Sequence, residues 1–153
     1  MGERALSRLG ELEQKRGVVI DTMVFLYLFE AHPAYADLCE FLVERMGQGF
    51  FSGVVTPITA AEILVKPLMQ KRSSIADRYR MAIRNLPNVV LARIDEQIAF
   101  MAGALRAKYR MPLPDMFQAA VALSFPARTL ITNDRALRKV KEVRVFLLDE
   151  LAP

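Results

Sequence analysis

GVVIDTMVFLYLFE, residues 17–30, joins two apolar runs of different character across a single carboxylate. Val18, Val19 and Ile20 are β-branched and read as a short buried strand. From Thr22 onward nothing breaks the run until His32-Pro33, so the second half reads as a helix that starts where the strand stops. This strand-to-helix step repeats outward along the chain. Pro33 is placed for the first turn of a helix running to about Met46. FFSGVVT (50–56) reads as the second strand, with Thr56 as N-cap and Pro57 as first residue of the next helix. That helix carries Glu62 and is expected to bend or end at Pro67. Ser73 or Ser74 then caps a helix to about Leu86, and VVLARI (89–94) is the third strand. Asp95 caps IDEQIAFMAGALRAKYR, whose Ile98, Met101, Ala102 and Leu105 keep helical spacing. Pro112 and Pro114 fix the entry to a helix at Asp115. TLIT (129–132) is the fourth strand, Asp134 starts a short helix, and VRVFLL (143–148) is the fifth strand. Apolar strands alternating with helices imply an α/β fold: a mainly parallel sheet covered on both faces, a three-layer α/β/α sandwich.

Four acids interrupt this pattern where apolar or turn residues are expected: Asp21, Glu62 in TAAEILV, Asp115 in LPDMFQAAVAL, and Asp134 in LITNDRAL. Each has a bland reading. Asp21 and Asp134 suit N-caps, Asp115 suits a helix first turn, and Glu62 suits an exposed position on an amphipathic helix. Against the last stand its apolar neighbours Ala60, Ala61, Ile63 and Leu64. In parallel sheets, however, sites form at the carboxyl ends of the strands, and all four acids belong near that edge. Carboxylates rarely gather in such places without a compensating charge, and a divalent ion compensates several at once. Oxygen-only ligands select Mg²⁺ or Mn²⁺ over zinc. Gln118 lies one turn beyond Asp115 and is expected to share its face.

Composition narrows the class. The chain has 153 residues, enough for one domain with a sizeable core, and 53% hydrophobic against 25% charged residues is a soluble, globular balance. Residues 1–16 carry alternating charge and no apolar h-region, so they read as an N-terminal extension to a single domain over 17–153 and not as a secretory signal. No apolar run approaches the roughly 20 residues of a membrane span. The lone Cys39 excludes an intramolecular disulfide and reads as a core thiol. A cytoplasmic protein is the expectation.

The net charge of +4 leans towards a polyanionic partner. Basic residues cluster at Lys66, Lys71, Arg72, Arg78, Arg80 and Arg84, again at Arg106, Lys108 and Arg110, and again at Arg135, Arg138, Lys139 and Lys141. The first cluster reads equally as a nucleic-acid contact and as a solvated helix face. Lys66, Lys71, Arg72 and Arg135 are the candidates for touching RNA. His32, the only histidine, sits beside a proline and reads as a turn residue. No glycine-rich phosphate loop or GxSxG elbow is present.

VVIDTMVFLYLFE, TPITAAEIL, LPDMFQAAVAL and LITNDRALRKV, in that order and over roughly residues 17 to 149, resemble a PIN-domain ribonuclease of the VapC toxin type. The resemblance implies a flavodoxin-like α/β/α sandwich and an acidic pocket in which Asp21, Glu62, Asp115 and Asp134 hold one or two Mg²⁺ or Mn²⁺ ions and orient an attacking water. Thr22 and Thr132 match the small hydroxyl residues such proteins place beside the first and fourth acids. It further implies hydrolysis of RNA to a 5′-phosphate and a 3′-hydroxyl, an antitoxin partner and a homodimer. One departure is Ala136, where many relatives carry a further acid, which tells against a second ion.

Other readings remain open: a PIN-like module that binds RNA or protein without cutting, or a freestanding nuclease with no antitoxin. A phosphotransfer receiver would need paired acids at the first strand and a Lys after the last. A haloacid-dehalogenase-type phosphatase would need DxDx[TV] where this chain reads DTMVF. Phe25, Leu28 and Phe29 read as core in preference to a partner-covered surface.

Overall fold

The computed structural model describes residues 3–152. Five strands, β1 (Val18–Ile20), β2 (Gly53–Val55), β3 (Val89–Leu91), β4 (Thr129–Thr132) and β5 (Arg144–Leu147), form one sheet in the order β3-β2-β1-β4-β5. Every neighbouring pair is parallel. The strand order reverses between β1 and β4, and a crevice for ligands opens outside such a switch point. Asp21 follows β1 and Asp134 lies two residues beyond β4, so the two acids flank it.

Alternation along the strands builds the layers. Val18 and Ile20 join Phe25, Leu42, Met46, Ile131 and Phe146 in one apolar cluster. Val19 points the other way, with Leu130, Val145 and Leu147, into a cluster with the helices α6 (Glu96–Tyr109) and α7 (Leu113–Leu123). Within α7, Ala119, Ala120 and Ala122 are fully buried, and small side chains there let the helix lie close to the sheet. Gly17 needs a left-handed φ of +80°, and a Cβ on it would run into the Phe125 ring.

The first face is covered by α2 (Thr22–Phe29), α3 (Ala36–Gly47), α4 (Pro57–Met69) and α5 (Ser73–Arg84). Thr56 caps α4 by accepting the Thr59 N–H, and Asp95 caps α6 through the Ile98 N–H. Phe25 is buried, while Leu28 and Phe29 pack half-buried against the same cluster. Cys39 is buried, and burial pushes its thiol up to about 12, so it stays protonated.

Several helix boundaries differ from the expectations. α3 begins at Ala36, not Pro33, because the His32 carbonyl takes the Tyr35 and Ala36 N–H groups in a turn and its Nδ1 accepts from Ala34. α4 continues through Pro67, which is buried, and stops at Met69. A missing N–H removes one rung near a helix end, a smaller loss than in mid-helix. Ser73 is the first residue of α5, and no side chain caps it. β2 and β3 are three residues each, shorter than the apolar runs that contain them.

Beyond the expected elements, α1 (Glu3–Gly10) docks on α8 (Leu148–Leu151), and Leu12 is completely buried. Arg8 anchors this corner. It donates to Glu11 at 2.9 Å and Glu150 at 3.1 Å, with its guanidinium over the Phe146 ring. Among the described residues no helix is long and apolar enough to cross a membrane.

Candidate metal centre

Asp21 leaves β1 with its N–H bonded to the Ile131 carbonyl, which fixes its backbone to the sheet. Only 6% of it is exposed, and three donors hold its carboxylate. The Thr22 N–H donates to Oδ1 at 2.8 Å, the Thr132 hydroxyl to Oδ2 at 2.6 Å, and the Gln118 amide to Oδ1 at 3.3 Å. Burial pushes this carboxyl above the usual range. The three hydrogen bonds pull it back, and the nearby Asp134 charge adds to the rise.

Glu62 stands one and a half turns into α4. Its neighbours Ala60 and Ala61 are exposed, as is Glu62 itself, so the expectation of an apolar setting on both sides does not hold; Ile63 alone of those flanking residues is fully buried. The side chain still reaches inward far enough for Oε1 to accept the Thr22 hydroxyl at 3.0 Å. Asp134 caps the 3-10 helix Arg135–Lys139 by accepting the Ala136 N–H at 2.9 Å, and its own N–H donates to Thr132 Oγ1 at 3.1 Å.

Asp115 is in the first turn of α7, behind Pro112 and Pro114. Its carboxyl is pushed up to about 6, first by burial and then by the charges of Asp21, Asp134 and Glu62. The structure thus brings the four predicted acids into one electrostatic neighbourhood. None of the ion pairs among the described residues involves any of them. They repel one another accordingly. Among the described residues no three Asp, Glu, His or Cys groups are drawn together closely enough to close on one ion.

In kind, though not in spacing, the donor set suits a hard divalent cation. All four side chains offer carboxylate oxygen, no histidine or cysteine intrudes, and a cation would relieve the repulsion that raises Asp115. Asp21 is the fixed member, while no hydrogen bond is among the causes of the Asp115 shift.

The predicted supporting residues fall in two groups. Thr22 and Thr132 touch the acids directly. Gln118, three residues beyond Asp115 on α7, donates to Asp21 and Thr59 and accepts from Thr56. Thr59, which the sequence reading passed over, is completely buried beneath the site. Its signal was available: a Thr three residues after the Thr56 cap lies on the same helix face.

Of the candidate RNA contacts, Lys66 pairs with Glu30 at 3.0 Å and Arg135 with Asp149 at 2.9 Å. Lys71 and Arg72 are exposed at the turn after α4.

The PIN domain family model matches residues 18–143. Among curated proteins, no sequence matches the chain. Solved structures share the fold at low identity. VapBC2 from Rickettsia felis, bound to a DNA fragment from its promoter, gives a TM-score of 0.68 at 18% identity, covering 86% of this chain and 98% of that one. VapBC-1 from nontypeable Haemophilus influenzae gives 0.67 at 20%, covering 87% and 98%. A toxin–antitoxin complex from Klebsiella pneumoniae gives 0.61 at 23%, covering 82% and 94%. With the family match spanning most of the sequence, the chain belongs to the PIN domain family.

Proposed function

We propose that this chain is a metal-dependent endoribonuclease and the toxin of a toxin–antitoxin pair, acting in the cytoplasm. The observation that carries the proposal is the set of four carboxylates gathered at the carboxyl edge of the sheet, none of which is in an ion pair among the described residues. Asp21, Glu62, Asp115 and Asp134 would hold Mg²⁺ or Mn²⁺. When bound, such an ion neutralises charge on a phosphodiester and makes a bound water a better nucleophile. Asp21 acts as the anchor, because three donors fix both its oxygens. Thr22 and Thr132 orient Glu62 and Asp21. At Asp115 burial and the other three charges act in the same direction, and a cation would relieve the second of these.

The likeness in fold to toxin–antitoxin complexes supports a small antitoxin protein as partner, and a second copy of this chain is the further partner that the family resemblance implies. Lys71 and Arg72 are exposed and in none of the ion pairs among the described residues, which supports them as contacts for an RNA backbone. Lys66 and Arg135 would have to leave Glu30 and Asp149 to do so.

The test is incubation of purified protein with mixed tRNA and rRNA in Mn²⁺, in Mg²⁺ and in EDTA, beside Asp115→Asn. Cutting that requires the ion and vanishes in the variant supports the proposal. A folded, metal-loaded protein that cuts nothing in that pool would shift the reading to a binding module. Cutting that survives both EDTA and the substitution would overturn the assignment of the site.

A further inference from the structure

Beneath the acids runs a line of buried polar side chains that core packing does not require: Thr56, Thr59, Gln118 and Thr22, each at most 6% exposed. Buried polar groups persist when every donor and acceptor is matched. Here the matching has one consistent solution. Thr56 Oγ1 accepts the Thr59 N–H and donates to Gln118 Oε1 at 2.6 Å. The Gln118 amide spends its two hydrogens on Thr59 Oγ1 at 2.9 Å and Asp21 Oδ1 at 3.3 Å. Thr59 Oγ1, already an acceptor, therefore gives its hydrogen to Thr22 Oγ1 at 2.9 Å. Thr22 in turn gives its hydrogen to Glu62 Oε1 at 3.0 Å. A flipped Gln118 amide would set its oxygen against the Asp21 carboxylate, and that repulsion selects the orientation.

We propose that Gln118 and Thr59 are positioning residues: one buried, one-directional hydrogen-bond relay starting at the Thr56 cap, branching at Gln118, and delivering one donor to Asp21 and one to Glu62. It ties the acid at the end of β1 to the acid on α4. The relay uses Asp21 Oδ1 and Glu62 Oε1, and at Asp21 Oδ2 a cation would share the oxygen with the Thr132 hydroxyl. The proposal rests on the metal-binding reading above. Neighbours that orient metal ligands typically change affinity about 10–100-fold when removed.

The test uses the full chain with Thr59→Val, which keeps shape and loses the hydroxyl, Thr59→Ser, which keeps it, and Gln118→Leu. In the metal-free ¹⁵N-labelled protein, the Gln118 side-chain amide hydrogens should exchange slowly with solvent and shift in Thr59→Val but little in Thr59→Ser. Rapid exchange, as for an exposed glutamine, would overturn the relay whether or not metal binds. Mn²⁺ affinity, read by the free-ion paramagnetic resonance signal, should fall about tenfold in Thr59→Val and Gln118→Leu and recover in Thr59→Ser. Folded variants that bind Mn²⁺ as tightly as the parent would overturn the positioning role and leave the metal reading standing. A parent protein that binds no Mn²⁺ would overturn both.

Discussion

Where α1, β5 and α8 meet, Arg8 donates to Glu11 and Glu150, Arg138 to Glu150 and Arg144 to Glu11, so Glu11 and Glu150 each have two arginines. At the carboxyl edge of the sheet, Asp21, Glu62, Asp115 and Asp134 have only neutral donors and one another. The effect on the carboxyls is opposite. At Glu11 burial works upward, but the hydrogen bonds and charges of Arg8 and Arg144 outweigh it and hold the group below its ordinary range. At Asp115 burial and like charge act together, and the group rises to about 6. A cluster of charge is therefore not a site by itself. The corner is compensated from within and works as a staple, whereas the edge is left without such compensation and costs stability in the metal-free protein.

The largest expected effect is on activity. Asp21→Asn and Asp115→Asn should each lower RNA cleavage about a thousandfold, matching several kcal/mol of lost charge stabilisation, with circular dichroism unchanged. Arg8→Met at the other corner should leave the rate within about twofold, since it touches nothing at the sheet edge. Equal losses at both corners would erase the contrast. Next in size is metal-linked stability. Mn²⁺ at a hundred times its dissociation constant should stabilise the parent by about 2.7 kcal/mol, a rise of about 5–10 °C in Tm for a domain of this length. Asp115→Asn should show a smaller rise at the same concentration. A melting temperature indifferent to Mn²⁺ would mean that the edge binds no such ion.

How much of this contrast the sequence carries depends on range. β1, the Thr56-Pro57 start of α4 and the Asp95 cap of α6 rest on period and cap chemistry within a few residues, and they stand where the residues say. The four acids were legible because each breaks a local apolar pattern. The exposure of Glu62 was not, since it depends on which face of α4 meets the sheet. Gln118 and Thr59 meet across 59 positions, and a helical repeat cannot show that pairing. The docking of α1 was equally hidden: its partner Glu150 is 142 positions from Arg8, and amphipathic charge alone does not choose a partner.

The staple itself gives a smaller effect. Arg8→Met keeps an apolar body over Phe146 but leaves Glu11 and Glu150 each short of one arginine. The pair is half-buried and both acids retain another arginine, so the loss should be about 1–2 kcal/mol, between an exposed and a fully buried pair. Thermal denaturation should fall by about 3–6 °C, and high salt should narrow the difference. No change in Tm would show that α1 is held by Leu9 and Leu12 alone.

The smallest and most diagnostic effect is a pH dependence of opposite sign at the two corners. Asp115 binds its proton more tightly folded, at about 6, than unfolded, near 3.8, so the folded state holds more protons between those values. Its contribution is favourable below pH 4 and is lost as the pH rises through 6. The Asn variant has no such proton. In the metal-free protein the two should therefore be equally stable near pH 4 and diverge as pH rises, with Asp115→Asn the more stable by about 1 kcal/mol above pH 6, a figure reduced for the solvent screening of a half-buried group. Glu11, held low, acts the other way, and its contribution is present above pH 5 and fades as the pH falls. Urea unfolding of both proteins from pH 4 to pH 7 reads the divergence directly. Parallel curves would mean that Asp115 behaves as an ordinary surface carboxylate, and the distinction between an uncompensated edge and a compensated corner would fail at the residue that defines it.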